Sequence, residues 1–305
     1  MISADFGTSI VESLPSISLI VIAVAYAARI LRLSGEGRPV PVWRQGFFLA
    51  GLVVLAIAVL SPLDGLADEL LTFHMIQHLL IMDVAAVLLV LGLTGPVMKP
   101  LLAMRGFRWT RHLGNPLVAL AIWTALLYVW HIPALYEAAT FDSDIVHGVQ
   151  HVSFFLAGAA FWMSLLGPLP KPSWFGPAAS AGFVFGIRLI GAVLANVLMW
   201  SGSVLYGRYA PGQAEYDISA LADQGTAGVV MMAESTLVTL AVLTWLVLRW
   251  ARQDTERQEL IDLADRHGYE LDPKRAERAV SAGQGQRLRE RIESAPARPQ
   301  AGGRA

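Results

Sequence analysis

Cysteine is absent from this 305-residue chain. Its absence excludes disulfides, thiolate metal sites and Cys-x-x-Cys redox chemistry, and leaves histidine, methionine and carboxylates as the available metal ligands. Charge is scarce as well: 15% of the residues are Asp, Glu, Lys or Arg, against 55% hydrophobic. That balance, with long uncharged runs, belongs to a polytopic membrane protein rather than a large soluble one. The net charge of -1 says nothing about partners, because almost all charge sits in the connecting loops and the tail after Trp250, where its distribution reports topology; nucleic acid is not implied. The first residues, MISADFGTSIVESLPS, lack the basic region of a cleavable signal, and the first apolar span is expected to double as the targeting element.

Hydropathy places about seven spans of roughly twenty residues, near 14 to 33, 45 to 62, 70 to 95, 115 to 132, 145 to 166, 179 to 201 and 224 to 249. The connecting segments alternate in sign. Arg32, Arg38 and Arg44 follow the first span, Asp64, Asp68 and Glu69 the second, and Lys99, Arg105, Arg108 and Arg111 the third. Glu137, Asp142 and Asp144 follow the fourth, Lys171 the fifth, and Glu215, Asp217 and Asp223 outnumber one arginine after the sixth. The fold expected is all-α: a polytopic membrane helix bundle of about seven transmembrane helices, N-terminus outside and C-terminus cytoplasmic, multi-pass in the cell inner membrane. Residues 1–250 form the transmembrane domain. Residues 251–305 form a charged cytoplasmic tail, partly disordered after about residue 280, too polar to bury a core and able to meet anionic lipid through its arginines.

The stretch from Leu70 to Pro96 carries two histidines and an aspartate inside an apolar run. Ionisable groups in hydrocarbon are costly and mark function by default. His74 and His78, four apart, stack on one helix face. Given the topology, both lie within about 12 Å of the outer side. His147 and His151 repeat the spacing at a matching depth in the fifth span, and His131 closes the fourth at the same surface, before Ile132-Pro133 turns the chain. Two such pairs can offer up to four imidazoles to one cavity, which suits copper, zinc or iron. Met75, Met82, Met199, Met231 and Met232 add soft sulfurs at plausible depths, and His plus Met without Cys favours Cu(I). The plainer alternatives are histidines bonded to neighbouring helices, methionines packed in the core, and His131 as an interfacial anchor beside Trp130.

Nearer the midplane lie Asp83, Arg188 and Glu234, where Arg188 is expected to pair with Asp83 or Glu234 as a helix lock; a proton or metal-ion path is the alternative. Asp223 reads as the N-cap of the last span.

The strings HMIQHLLIM through LGLTGP, WHIPALYEAA, HGVQH followed by FFLAGAAFW, and LADQGTAGVVMM occur in an order and spacing that resembles the membrane-integral CtaG family of cytochrome c oxidase assembly proteins, associated with caa-type oxidases, over roughly residues 40 to 250. The resemblance implies a non-enzymatic, seven-helix chaperone of the respiratory chain that helps mature a haem-copper oxidase at copper delivery. Its partners would be oxidase subunits, a copper donor protein and membrane lipid. The motif positions are His74, His78, Trp130, His131, Pro133, Tyr136, His147, His151, Asp223, Gln224, Gly228 and Met231; Met232 stands where a tryptophan is often expected. The metal ligands expected are His74, His78, His131, His147, His151 and Met231, with copper as the ion. A haem protein, a membrane di-metal oxidase and a metal-free docking scaffold for oxidase subunits are the competing readings.

Overall fold

The structure, a computed structural model, describes residues 2–105, 112, 114–281 and 283–295, with side chains described from Leu14 onward. Arg108 and Arg111 of the third connecting segment lie outside the described residues. Every regular element among the described residues is helical.

The first two spans are α1 (Ile2–Gly35) and α2 (Val42–Leu60). A short helix, α3 (Pro62–Glu69), follows, its N-terminus closed by the Ser61 hydroxyl, which accepts from the Leu63 N–H at 3.2 Å. The third crossing, Leu71–Gly92, is broken into α4 (Leu71–Leu79), a π-helical segment over Leu80–Ala85, and α5 (Ala86–Gly92). Of this crossing 61% is buried, a larger share than for any other candidate span, so it forms the axis of the bundle. After α6 (Gly95–Ala103), α7 (Pro116–Trp130) carries the fourth apolar segment.

Pro133 cannot extend α7, because its ring removes a backbone donor and collides with the preceding turn. α8 (Pro133–Asp142) therefore leaves at 76° to α7. α9 (Asp144–Leu165) and α10 (Pro177–Trp200) are unbroken. A 3₁₀ turn at Gly207–Tyr209 and α11 (Ala210–Glu215) lead to α12 (Ala220–Arg266). Six helices are long and apolar enough to cross a membrane, and the bent pair α7–α8 is a seventh candidate.

Glycine sets the closest helix approach. A Cβ on Gly158 of α9 would lie 1.7 Å from the Met82 carbonyl oxygen, so a residue without a side chain is what lets α9 touch the π-helical segment.

Residues from Leu240 onward form a second compact unit. Here α13 (Pro273–Ser281) and α14 (Gly285–Glu293) bury Val280, Leu288 and Ile292 against Leu260 and Ala264 of α12, with Leu263, Tyr269 and Leu271 packed around them. Gly268, at φ +62°, ends α12, and the Tyr269 N–H returns to the Ala264 carbonyl at 2.8 Å. This corrects the expectation of a tail with no core. Its few apolar residues recur at helical spacing, so three narrow stripes meet where a bulk count finds too little to bury.

Candidate metal centre

α4, α8 and α9, with His131 closing α7, supply the five histidine rings and the Tyr136 ring around which this site is built. His74 and His78 on α4 are 0% and 4% exposed. Their ring centroids are 4.2 Å apart, as the i, i+4 spacing dictates. On α9, His147 and His151 are 4.3 Å apart. Across the interface His74 stacks on His147 at 5.3 Å and 13°, and His78 meets His151 edge-on at 5.4 Å. One ligand nitrogen from each of His74, His78 and His147 lies within 4.8 Å of the other two.

These rings are short of partners. Both nitrogens of His78 and the Nε2 atoms of His147 and His151 are buried with no hydrogen bond. His74 has the Ala67 backbone nearby, but neither of its ring nitrogens reaches hydrogen-bond geometry. A buried polar atom without a partner costs about 1–3 kcal/mol, so several together need an explanation. A cation shared among unprotonated imidazoles would supply one, and a set of three imidazole nitrogens fits Cu(I) or Zn(II). Among the described residues, no carboxylate oxygen joins the three nitrogens within that 4.8 Å limit.

His131 flanks the group, 6.0 Å from the Phe154 ring and 6.1 Å from Tyr136. Its Nδ1 donates to the Leu127 carbonyl at 2.7 Å, which leaves the buried Nε2 as a free lone pair. The Tyr206 hydroxyl donates to the His131 carbonyl at 2.9 Å, satisfying a backbone group that the α7–α8 bend exposes. Trp130 donates its indole N–H to Ser153 of α9 at 2.7 Å, so the two helices that carry His131 and the second pair are tied together.

Asp223 is not the cap of its own helix. α12 begins at Ala220, and the Asp223 carboxylate instead accepts from the Leu71 N–H at 2.9 Å, the Thr72 N–H at 3.0 Å and the Thr72 hydroxyl at 2.7 Å. It thus caps α4, whose first residue is Leu71, one turn before His74. Gln213 of α11 donates to the same carboxylate at 3.0 Å. Gln224 is buried beside it and ties Leu205, Leu198 and Ser203 together. Gly228 lets α12 approach the Ala195 carbonyl of α10. Met231 is buried on α12 about two turns past Asp223.

Over the group, Tyr136 and Tyr209 share a 2.7 Å hydroxyl–hydroxyl bond, and the Tyr136 ring lies 5.1 Å from His74. Burial and the neighbouring Asp68 and Asp223 hold the Tyr209 phenol far above its ordinary range, outweighing the Tyr136 bond, so it stays protonated. Asp64 and Asp144 lie close enough to act on His147. Asp68 is pushed up to about 6 by the protein around it and by Asp64, Glu69 and Asp144. Gln77, between the two histidines on α4, donates to the Ala58 carbonyl at 2.8 Å and to Asp64 at 2.5 Å. The sequence reading named neither Tyr209 nor Gln77. Tyr209 lies in a polar connection that hydropathy passes over, and Gln77 is marked only by being an amide in an apolar run.

Deeper in the bundle Arg188 of α10 pairs with both candidate carboxylates. Its Nη2 and Nη1 donate to Asp83 at 2.6 and 3.1 Å, and Nη1 reaches Glu234 at 3.4 Å.

A family model described as cytochrome c oxidase caa3 assembly factor (Caa3_CtaG) matches residues 24–253. Curated proteins of Mycobacterium bovis and Mycobacterium tuberculosis, each described as uncharacterized, are 25% identical to this chain over 279 residues, covering 84% of it and 41% of their own length. A Mycobacterium leprae protein of the same description is 25% identical over 262 residues, covering 80% of this chain and 39% of that protein. The chain therefore spans about two fifths of the curated relatives it matches. No solved structure matches it.

Proposed function

Because the chain belongs to the cytochrome c oxidase caa3 assembly-factor family, we propose that it helps mature a caa3-type haem-copper oxidase by holding a copper ion in the imidazole group and handing it to an oxidase subunit. One observation carries this reading. Nitrogens of His74, His78 and His147 converge within 4.8 Å from two facing helices, and several of the ring nitrogens there are buried with no hydrogen bond.

In this reading the protein is a carrier and not a catalyst. His74, His78, His147 and His151 bind the ion, with His131 and Met231 at the margin. The stacked pairs let one imidazole replace another at the ion without its meeting hydrocarbon. Asp64, Asp68 and Asp144 attract cations toward His147, and the Tyr136–Tyr209 pair covers the buried side of His74. The alternating loop charges support a reading in which this group lies at the outer face of the cell inner membrane and the arginine-rich tail inside. A copper donor protein loads the site, and an oxidase subunit receives the ion at similar depth.

Two rivals are less well supported. Rings packed at 4.2 to 5.4 Å leave no slot between the two helices for a macrocycle, which disfavours haem. A di-metal oxidase needs bridging carboxylates, and none joins the imidazole nitrogens among the described residues. A metal-free scaffold gives the unpartnered nitrogens no purpose.

The test is metal analysis of anaerobically purified protein with oxidase maturation followed in the same cells. Copper is expected in wild type and missing from His74→Ala and His147→Ala, with caa3 oxidase activity lost in parallel. Wild type that binds no copper, or normal oxidase in both variants, overturns the reading.

A further inference from the structure

The charges near the midplane do not balance. Asp83 on the π-helical segment takes two bonds from Arg188, at 2.6 and 3.1 Å, and that pair is neutral by itself. Glu234 receives one long contact at 3.4 Å from a nitrogen Asp83 already uses, and its Oε1 is buried with no partner. Arg188 Nε is likewise unpartnered, and its guanidinium is walled by Phe161 and Trp162 at 5.2 and 5.9 Å.

Among the described residues of the three stretches that carry this group, 71–92, 177–200 and 220–239, Arg188 is the sole positive side chain apart from histidine. Arg188 is the sole charged residue of α10, and Asp83 the sole one of Leu71–Gly92. On α12 as far as Thr239 the sole company of Glu234 is Asp223, which is occupied at the outer end of α4. Two ionised carboxylates against one guanidinium would leave a net negative charge in hydrocarbon, which costs several kcal/mol.

We propose that Glu234 is a proton-binding site, its carboxyl held neutral by an exchangeable proton beside the Arg188–Asp83 pair. The proton belongs on Glu234 and not on Asp83, since the Asp83 oxygens accept two guanidinium bonds and the Glu234 Oε1 has none. Of the buried charges at this depth, this proton is the one that can leave or return without breaking an ion pair. The proposal is independent of copper.

The test is infrared spectroscopy of the full chain in lipid nanodiscs at neutral pH, with glutamate carrying ¹³C at its side-chain carboxyl. The expected result is a protonated-carboxyl C=O band that shifts with the glutamate label, shifts again in D₂O, and is lost in Glu234→Gln. A wild-type spectrum with no label-sensitive band of this kind overturns the proposal whether or not the variant folds, and so does a band that survives Glu234→Gln. Because the readout needs no metal, its failure is distinct from failure of the copper reading.

Discussion

The Asp223 carboxylate closes the N-terminus of the helix that begins at Leu71, accepting the Leu71 N–H at 2.9 Å from 152 residues away. The start of α4 is thereby set by α12, and His74 is placed one turn beyond the cap. Asp223→Ala is expected to destabilise the chain by about 2–3 kcal/mol, the range for hydrogen bonds to a charged group and a lost cap combined. If the imidazole group holds copper as proposed, it should also weaken that binding about tenfold or more, as loss of outer-shell support does at metal sites. Asp223→Asn, which still accepts from a backbone N–H, should lose less of both. Thermal unfolding in detergent and copper titration measure the two effects.

Gly158 provides the second check on how the imidazoles are held. Gly158→Ala puts a methyl group where the Met82 carbonyl oxygen is 1.7 Å away, so α9 must move off the π-helical segment. Overpacking of this kind costs about 1–3 kcal/mol. The expected outcome is a lower unfolding temperature and, if the imidazole group holds copper as proposed, weaker copper binding with none of the proposed ligands changed. Gly148→Ala, inside the same helix at a position where a Cβ meets nothing within 4 Å, is the control that should leave copper binding unchanged and raise the unfolding temperature slightly, since alanine favours a helix interior over glycine by about 0.5–1 kcal/mol.

Asp68 supplies a pH dependence outside the membrane. Its carboxyl titrates at about 6 in the folded chain, above the ordinary value of 3.8 that the unfolded chain would show. Ionising it therefore costs folding stability. That cost is fully present above about 6, shrinks as the pH falls from there, and is gone below 3.8. Asp68→Asn should raise the unfolding temperature at pH 7 and leave it unchanged at pH 3.5. Unfolding curves of the two proteins across that interval provide the measurement.

Arg188→Met removes the partner of two carboxylates. Breaking a buried pair in this way costs about 3–5 kcal/mol, because an uncompensated charge stays behind. Little folded protein is expected from the single variant. Adding Asp83→Leu should recover folded protein, since hydrophobic replacement of both partners is often neutral. Yield and size-exclusion profile in detergent decide between recovery and additive loss.

Much of this arrangement was legible in the chain. The i, i+4 spacing of His74/His78 and of His147/His151 puts each pair on one face, and the alternating loop charges put both pairs at one depth. The rings meet as that depth argument requires. Depth also anticipated a pairing for Arg188, although the structure gives it both carboxylates where the sequence reading had one or the other. Two features were not legible. The π-helical segment presents its Met82 carbonyl to Gly158 of α9, a contact between distant parts of the chain that no local pattern around Leu80 encodes. The role of Asp223 escaped because N-cap rules look a few residues ahead along one helix, and its carboxylate serves a different one. The small core around Leu260 and Ile292 was hidden by an arginine-rich composition that masks a helical stripe.

The bond from His131 Nδ1 to the Leu127 carbonyl has a bearing on how loading would be observed. A ring whose hydrogen is committed to its own helix already offers its other nitrogen as a base, so it takes up a cation without first shedding anything. Any acid released into the medium on loading must then originate elsewhere in the protein. Calorimetry repeated in buffers of different ionisation heat would trace that source.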